Sequence, residues 1–184
     1  MDEFGEFARL AQAAYTGKAP YGFEKVRDLS DRRSKVFKDE ENRVVISFRG
    51  TDPLNPSDLW ADAHILTGTR GLSPRFREAS EKFKKVKQSF PEGSKIYVTG
   101  HSLGGAQAKY IAQNESSVSG AFLFNPGSNP WYDSNLYSPD PRIKTFTTGS
   151  DPISVGSFFQ RDENVMRVSR KPGMDPHSMS NFLD

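Results

Sequence analysis

The sequence predicts an α/β domain in which helices flank a central, mostly parallel mixed sheet. Short runs of β-branched and aromatic residues alternate along the 184 residues with longer segments of helical periodicity. Strands joined through helices favour parallel pairing with right-handed crossovers, while two early runs are close enough in sequence to pair as an antiparallel hairpin. The length suits one hydrophobic core, so residues 1–184 are expected to form a single domain.

The first predicted elements are an amphipathic helix and a hairpin. Apolar side chains between Phe4 and Tyr15 recur at three- and four-residue spacings, and Gly17 ends the pattern. Two β-like runs then follow, Ser34–Lys38 and Arg43–Phe48, with four polar residues between them. The helix is expected to pack on the core, and the hairpin to add antiparallel strands to the sheet.

The rest of the chain alternates between helix and strand patterns. A short helix is predicted at Ser57–Leu66, and Ser73-Pro74 supplies an N-cap and a first-turn proline for a long helix with an apolar stripe from Phe76 to Phe90. The elements predicted after it are a strand at Lys95–Thr99, a helix at Leu103–Gln113 and strands at Ala121–Phe124, Ile143–Thr147 and Asn164–Val168.

Composition excludes several classes of function. The 25 basic and 23 acidic residues are interspersed and leave a formal charge of +2, so there is no single-sign field of the kind that binds nucleic acid. The absence of cysteine removes disulfides, thiolate metal sites and a cysteine nucleophile, and it fits a reducing compartment. No nucleic-acid partner, metal or other cofactor is expected.

The N-terminal residues lack the features of a signal peptide. Met1 to Leu10 include three acidic residues and neither a basic region nor an apolar core. No run in the chain approaches the ~18 apolar residues that a membrane-spanning helix needs. We therefore expect no transmembrane segment, and a location that is cytoplasmic or otherwise unassigned.

A nucleophile motif follows the predicted strand Lys95–Thr99. The residues Gly100-His101-Ser102-Leu103-Gly104-Gly105 form a GxSxG pattern between a strand and a helix, the context of a nucleophile elbow. The two outer glycines keep side chains away from the strained turn, so the Ser102 hydroxyl can be presented above the sheet edge. The alternative is an ordinary glycine-rich turn, but the flanking strand and helix favour the elbow and an α/β-hydrolase fold of reduced size.

A serine hydroxyl needs a base to remove its proton, and imidazole is the usual base near neutral pH. The chain has three histidines. His64 precedes the motif, and His101 lies within the elbow, where the turn is expected to point its side chain away. His177 follows the last predicted strand, where this fold keeps its base, so it is the candidate; its alternative is a surface histidine.

The base in turn needs an acid to fix its tautomer and stabilise the imidazolium. Asp151 follows the strand Ile143–Thr147 and gives the chain order Ser, Asp, His. A turn aspartate is the alternative, since Gly-Ser-Asp-Pro is also turn chemistry. Asp175 is the second candidate acid, whereas Asp133 and Asp140 precede the strand that should deliver the acid.

Two backbone donors are candidates for an oxyanion hole. The N–H of the residue after the nucleophile, Leu103, is one. The other should come from the turn after an earlier strand, which points to Thr51 in Phe48-Arg49-Gly50-Thr51.

Four ordered blocks of the sequence match the pattern of one known family. The blocks are Val44–Thr51 (VVISFRGT), Asp58–Asp62 (DLWAD), Val98–Ala106 (VTGHSLGGA) and Gly149–Pro152 (GSDP). In these blocks the chain resembles the class 3 lipase family, the fungal-type triacylglycerol lipases and their relatives. The resemblance implies a lipid or other ester as substrate, Ser102, Asp151 and His177 as the triad, Thr51 and Leu103 as oxyanion donors, and no metal in the chemistry.

The chain also departs from that family. It is shorter than typical members, and residues 52–71, where the family has a lid, are mixed in polarity. Transient contact with a membrane or lipid interface is a further expectation from the resemblance. Candidates for an acyl pocket are Trp131, Tyr132, Ile153, Val155, Phe158 and Phe159, although core or surface packing is the favoured interpretation for most of them.

Three functions remain open on the sequence alone. Ester hydrolysis through an acyl-enzyme on Ser102 is the leading one. An acyltransferase, thioesterase or peptidase could use the same scaffold, because fold and triad do not fix the acceptor or the leaving group. A catalytically silent binding or structural module is the third, but such a module would be expected to have lost part of the triad or elbow.

Overall fold

A seven-stranded sheet lies between helical layers in the computed structural model, which describes residues 2–51, 74–128, 139–154 and 164–184. The α-helices in these ranges are α1 (Glu3–Thr16), α2 (Pro74–Ser89) and α3 (Leu103–Asn114), and short 3-10 helices span Arg27–Leu29 and Met179–Phe182. The strands are β1 (Phe23–Lys25), β2 (Ser34–Asp39), β3 (Val44–Phe48), β4 (Ile96–His101), β5 (Val118–Phe124), β6 (Ile143–Thr148) and β7 (Val165–Val168).

The strands lie in the sheet in the order in which they occur in the chain. Strands β1, β2 and β3 pair antiparallel, and β3 to β7 pair parallel. Helix α2 precedes β4 and α3 connects β4 to β5, as expected for parallel strands that need crossover connections. The predicted mixed sheet, with its antiparallel addition from the early hairpin, is confirmed.

Both faces of the sheet are covered, and the central strand β3 is buried throughout. In β3, Val44 and Ile46 pack into the cluster beneath α2 and α3, whereas Val45 packs on the opposite face against α1 and the C-terminal segment. Continuous burial of this kind explains why the strand reads as an unbroken apolar run rather than an alternating one.

Helix α1 is fixed at its ends and along its buried face. The Asp2 side chain accepts a hydrogen bond from the Gly5 N–H at 3.0 Å, and Gly17 ends the helix with a φ of 71°. Within the layer, the Phe7 ring stacks on Phe122 with 3.7 Å between centroids. The buried Ser47 hydroxyl of β3 donates to the Leu10 carbonyl of α1 at 2.7 Å. These contacts fix α1 against the sheet.

The structure differs from the sequence prediction in short elements. Strand β1 and the 3-10 helices were not predicted, and β5 begins at Val118 rather than Ala121. Gly120 made the start of β5 look like a loop, yet a Cβ there would lie 3.1 Å from the Tyr97 ring, so the glycine makes room for that ring inside the sheet. The predicted helix at Ser57–Leu66 and the N-cap Ser73 lie outside the described residues.

The described residues contain neither a helix able to span a membrane nor a cluster of side chains able to hold a metal ion. Across the four described ranges, no helix combines the length and apolar character needed to cross a membrane. Those ranges also contain no group of three or more His, Cys, Asp or Glu side chains arranged to hold a metal ion.

Candidate active site

Ser102 occupies a strained turn between β4 and α3. Its φ of 58° and ψ of −125° lie in a region that residues other than glycine rarely adopt, and the residue is buried. Tight packing explains the glycines around it: a Cβ on Gly100 would overlap the backbone of Gly104, and a Cβ on Gly104 would overlap the carbonyl of Phe48. The strand, the strained residue and the helix therefore have the geometry of a nucleophile elbow.

Both candidate oxyanion donors belong to segments beside Ser102. Leu103 begins α3, and the first N–H groups of a helix have no intrahelical acceptor. The turn after β3 is close as well, because a Cβ on Gly50 would lie 3.4 Å from the Ser102 Cβ and 2.8 Å from the His101 carbonyl. Thr51 follows Gly50 directly and is half-buried. Its role as a donor stays a prediction.

Asp151 and His177 form a buried pair. Nδ1 of His177 lies 2.9 Å from Oδ2 of Asp151, although 26 residues separate them in sequence. The Ser154 hydroxyl donates to the same Asp151 oxygen at 2.7 Å, and the Ile153 N–H donates to Oδ1 at 3.0 Å. Three donors thus orient the carboxylate from different sides.

These donors keep the carboxylate ionised. Burial alone would raise the pKa of Asp151, but the hydrogen bonds from His177, Ser154 and the Ile153 N–H outweigh it and lower the pKa below its ordinary value. An ionised carboxylate only accepts hydrogen bonds, so Nδ1 of His177 carries a proton, and in the neutral imidazole Nε2 is then the nitrogen with the lone pair. This is the tautomer that a general base requires.

The reactive atoms of the serine and the histidine are buried and unpaired. Within the described residues, neither Ser102 Oγ nor His177 Nε2 has a hydrogen-bond partner. The Ser–His hydrogen bond of a working triad is therefore not formed in this conformation. Such bonds are often long or misaligned without substrate and tighten in the complex.

The sheet topology explains why these residues meet. Ser102 follows β4 and Asp151 comes shortly after β6, and all parallel strands have their carboxyl ends at the same edge of the sheet. His177 lies in the segment after β7, the last strand in the order. Ligand and catalytic sites of open α/β sheets form at this edge.

Side chains from elsewhere hold the backbone of the histidine loop, which we define as residues 175–178. Asn125, directly after β5 with a φ of 40°, donates to the Pro176 carbonyl at 2.9 Å, and the Thr148 hydroxyl donates to the same oxygen. Asn181 donates to the carbonyls of Asp175 and Ser178 at 2.8 and 3.0 Å. The loop is therefore anchored through its main chain.

His101 completes this anchoring. Its Nε2 lies 2.6 Å from the His177 carbonyl, its Nδ1 lies 3.1 Å from the Tyr15 hydroxyl of α1, and its ring centroid lies 4.8 Å from that of His177. Burial, with a smaller effect from the charge of His177, lowers the pKa of His101 to about 3. The sequence suggested a side chain turned away from the site; the structure directs it toward the loop that carries His177.

The other candidate residues have local roles or lie outside the described residues. Asp175 Oδ1 accepts the His177 N–H at 2.8 Å in a turn, and Asp140 pairs with Arg142 at 2.6 Å. Of the acyl-pocket candidates, Ile153 is described and buried. Outside the described residues lie His64, Asp133, Trp131, Tyr132, Val155, Phe158 and Phe159, together with the DLWAD block and the residues 52–71 compared with a lid.

Sequence reasoning missed four residues that organise the site. Asn125 carried a usable signal, because a polar residue directly after a buried strand lies at the functional edge of the sheet. Ser154 follows the candidate acid by three residues, at the spacing of a local side-chain hydrogen bond. Tyr15 gave no such signal, since its partner His101 lies 86 residues away in sequence. Asn181 binds carbonyls of residues shortly before it, but the sequence pattern did not single it out.

Solved structures with similar folds include two lipases. Lip2 lipase from Yarrowia lipolytica aligns with a TM-score of 0.59 and 18% identity, covering 97% of this chain and 82% of that one. Lipase II from Rhizopus niveus gives 0.53 and 17%, covering 86% and 76%, and a mutant form of MDLA from Penicillium cyclopium gives 0.52 and 18%, covering 98% and 83%. At these identities the likeness concerns the fold, and it confirms the predicted lipase-type α/β-hydrolase architecture.

Sequence comparison identifies the family. No curated protein matches the chain at a significant level. The model of the Mbeg1-like family matches residues 28–173, a range that includes the elbow and Asp151. The chain belongs to the Mbeg1-like family.

Proposed function

We propose that this protein is a serine hydrolase that cleaves carboxylic esters, with Ser102 as nucleophile, His177 as general base and Asp151 as the acid that orients the base. The observation that carries the proposal is that two buried atoms with complementary chemistry both lack a hydrogen-bond partner within the part of the chain that the structure describes. Ser102 Oγ is held in a strained elbow, and the 2.9 Å contact between Nδ1 and Asp151 leaves Nε2 of a neutral His177 as the nitrogen that can accept a proton. Buried polar groups without partners are rare and costly, and they are typical of reactive sites.

The proposed reaction follows from these roles. Ser102 Oγ attacks the ester carbonyl carbon while Nε2 of His177 accepts the hydroxyl proton. The imidazolium then gives that proton to the leaving alkoxide, and the acyl group stays on Ser102. Water, deprotonated by the same nitrogen, attacks the acyl-enzyme and releases the carboxylic acid. Asp151 stays ionised throughout and stabilises the imidazolium.

The oxyanion of each tetrahedral intermediate requires donors near Ser102. We assign the Leu103 N–H at the start of α3 and the Thr51 N–H after β3 to this role. The positive end of the α3 dipole adds to the stabilisation of negative charge. One such donor is commonly worth about 3 kcal/mol of transition-state stabilisation.

Lipid acyl esters are the proposed substrate class. The fold is that of proteins described as lipases, and the sequence blocks around Ser102 and Asp151 resemble the class 3 lipase family. Such a substrate brings the enzyme into transient contact with a lipid interface. Acyl transfer to an acceptor other than water, or attack on a thioester or amide, would use the same three residues.

A fluorophosphonate probe tests the nucleophile directly, because it reacts with a serine activated by a neighbouring base. Wild type, Ser102→Ala and Ser47→Ala would be incubated with the probe and assayed on p-nitrophenyl esters of increasing chain length. Ser47 is the matched control: it is another buried serine, and its hydroxyl binds the Leu10 carbonyl of α1.

The outcomes separate the possible functions. Labelling and turnover that disappear in Ser102→Ala and persist in Ser47→Ala would support the serine hydrolase, and the chain-length profile would distinguish lipid esters from short soluble ones. Labelling without ester turnover would redirect the search to thioesters, amides or acyl acceptors. A folded wild type that neither reacts with the probe nor hydrolyses any ester would refute the proposal and favour a binding module.

A further inference from the structure

Buried His101 and half-buried Tyr15 form a hydrogen-bonded pair that the proposed reaction does not use. His101 is 3% exposed, and both its ring nitrogens have partners: the His177 carbonyl at 2.6 Å and the Tyr15 hydroxyl at 3.1 Å. Because both nitrogens are occupied, His101 cannot itself serve as the base for Ser102. A hydrogen bond from α1 to a fully buried histidine of the elbow calls for a different explanation.

The His177 carbonyl determines which group donates and which accepts in the two hydrogen bonds of His101. A carbonyl oxygen accepts only, so Nε2 of His101 carries the proton that it donates to His177. The Nδ1 atom then has a lone pair and accepts the hydrogen bond of the Tyr15 hydroxyl. The result is a directional chain from the hydroxyl through the imidazole to the carbonyl, and it holds His101 in one tautomer.

This series of hydrogen bonds holds the candidate base, His177, from a second side. Asp151 binds the ring of His177 at Nδ1, and His101 binds its main-chain carbonyl. The ring centroids of the two histidines lie 4.8 Å apart, so a shift of the His101 ring would move the adjacent imidazole as well. Tyr15 lies in the last turn of α1, whose apolar face is buried against the sheet.

We propose that Tyr15 and His101 are positioning residues for His177, linking helix α1 to the histidine loop so that Nε2 of His177 is aimed at Ser102. The inference rests on the proposed function, because it assigns a purpose to the geometry of that base. It adds a contribution from the N-terminal helix, which supplies none of the three residues in the proposed triad.

Four variants test this role. His101→Phe keeps a ring and removes both hydrogen bonds, whereas His101→Gln retains an N–H donor for the His177 carbonyl. Tyr15→Phe removes only the hydroxyl that fixes the His101 tautomer. Ser47→Ala is the matched control, since it removes a buried hydrogen bond between α1 and the sheet without touching the histidine loop.

Two activity measurements distinguish positioning from general stability. On a soluble p-nitrophenyl ester, His101→Phe should lower kcat by about 10- to 100-fold with little change in KM, because a small misplacement of a reacting group has effects of this size. The pH profile of kcat/KM should also move, since the displaced His177 ring loses part of its contact with Asp151. His101→Gln should recover most of the rate, Tyr15→Phe should lie between, and Ser47→Ala should match wild type.

A spectroscopic measurement makes the inference independent of ester turnover. A proton held between an imidazole nitrogen and a carboxylate gives a downfield proton NMR signal, and the His177–Asp151 pair should give one in the unreacted protein. We expect the signal to weaken or shift in His101→Phe and to be unchanged in Ser47→Ala. If wild type proves inactive on esters but shows this pattern, the positioning role stands and the proposed function fails. Retention of the signal in His101→Phe, or an unchanged kcat and pH profile in an active enzyme, would overturn the positioning role.

Discussion

Replacing the imidazole at position 101 should change how the free energy of unfolding depends on pH. Burial, with a smaller effect from the charge of His177, lowers the pKa of His101 from 6.5 to about 3. The groups that face its ring are the Tyr15 hydroxyl, the His177 carbonyl and imidazole, and the nearby Asp151 carboxylate. Together they leave no solvent-exposed site for a proton.

The sign of the effect follows from proton binding in the two states. Between pH 6.5 and about 3, the unfolded chain binds a proton at His101 that the folded protein does not. The free energy of unfolding therefore rises with pH across this window and falls on acidification. With these two pKa values, the loss between pH 6.5 and about pH 4.5 is about 2 kcal/mol, and the limit at lower pH is about 5 kcal/mol.

Urea unfolding followed by circular dichroism at several pH values would measure this loss. His101→Gln has no titrating group, so its free energy of unfolding should fall less than that of wild type, by about 2 kcal/mol over the same interval. Other titrating groups occur in both proteins and largely cancel in the difference. Parallel stability curves for the two proteins would refute the reasoning, because they would mean that His101 gains its proton without unfolding.

Three further predictions concern the elbow, the acid and the core. Gly104→Ala should unfold at markedly lower urea concentration than wild type, because the new Cβ would overlap the carbonyl at the end of β3. Gly149→Ala has open space around the new Cβ and should match wild type. Equal urea midpoints for the two variants would contradict the packing argument. Asp151→Asn should lower kcat by on the order of 10⁴-fold through the wrong histidine tautomer. Ser154→Ala should lower kcat far less, and equal losses in steady-state assays would argue against an orienting role for Asp151. Phe7→Ala should cost about 3–5 kcal/mol in urea unfolding, since the ring is fully buried and stacked, and a cost below about 1 kcal/mol would show that the site collapses.

The elbow could be predicted from sequence because its requirements are local. Gly100 and Gly104 exclude side chains from a turn whose tightness comes from the backbone on either side of Ser102. The strand before it and the helix after it are both long enough to show their own periodicity. The mostly parallel pairing of the sheet also followed from the alternation of strand and helix patterns.

The sequence predicted Asp151 and His177 as a pair from the order Ser, Asp, His along the chain, and the structure supplied the distance between them. The residues that surround the pair were harder to predict from sequence. Tyr15 lies 86 residues from His101, its hydrogen-bond partner, and no sequence pattern relates them. The side chain of His101 was expected to point away from the site. Elbow geometry fixes the direction of the Ser102 side chain, but it does not determine which residues surround His101.

Short edge elements escaped prediction for a different reason. Strand β1 has three residues, too few to show alternation, and its existence depends on pairing with β2. The 3-10 helix Met179–Phe182 is likewise set by burial of its ends against α1 and β6 rather than by its own propensity.

The anchoring of the histidine loop also determines which sequence changes it can accommodate. Each of the four carbonyls from Asp175 to Ser178 accepts a hydrogen bond from a side chain elsewhere in the fold: Asn181, Asn125, Thr148 or His101. Such bonds depend on the spacing of the carbonyls and not on the loop's own side chains, so exchanges at positions 176 and 178 leave them intact. Adding or deleting one residue would shift every carbonyl past its donor. The length of this loop, more than its composition, should therefore be the property that the fold constrains.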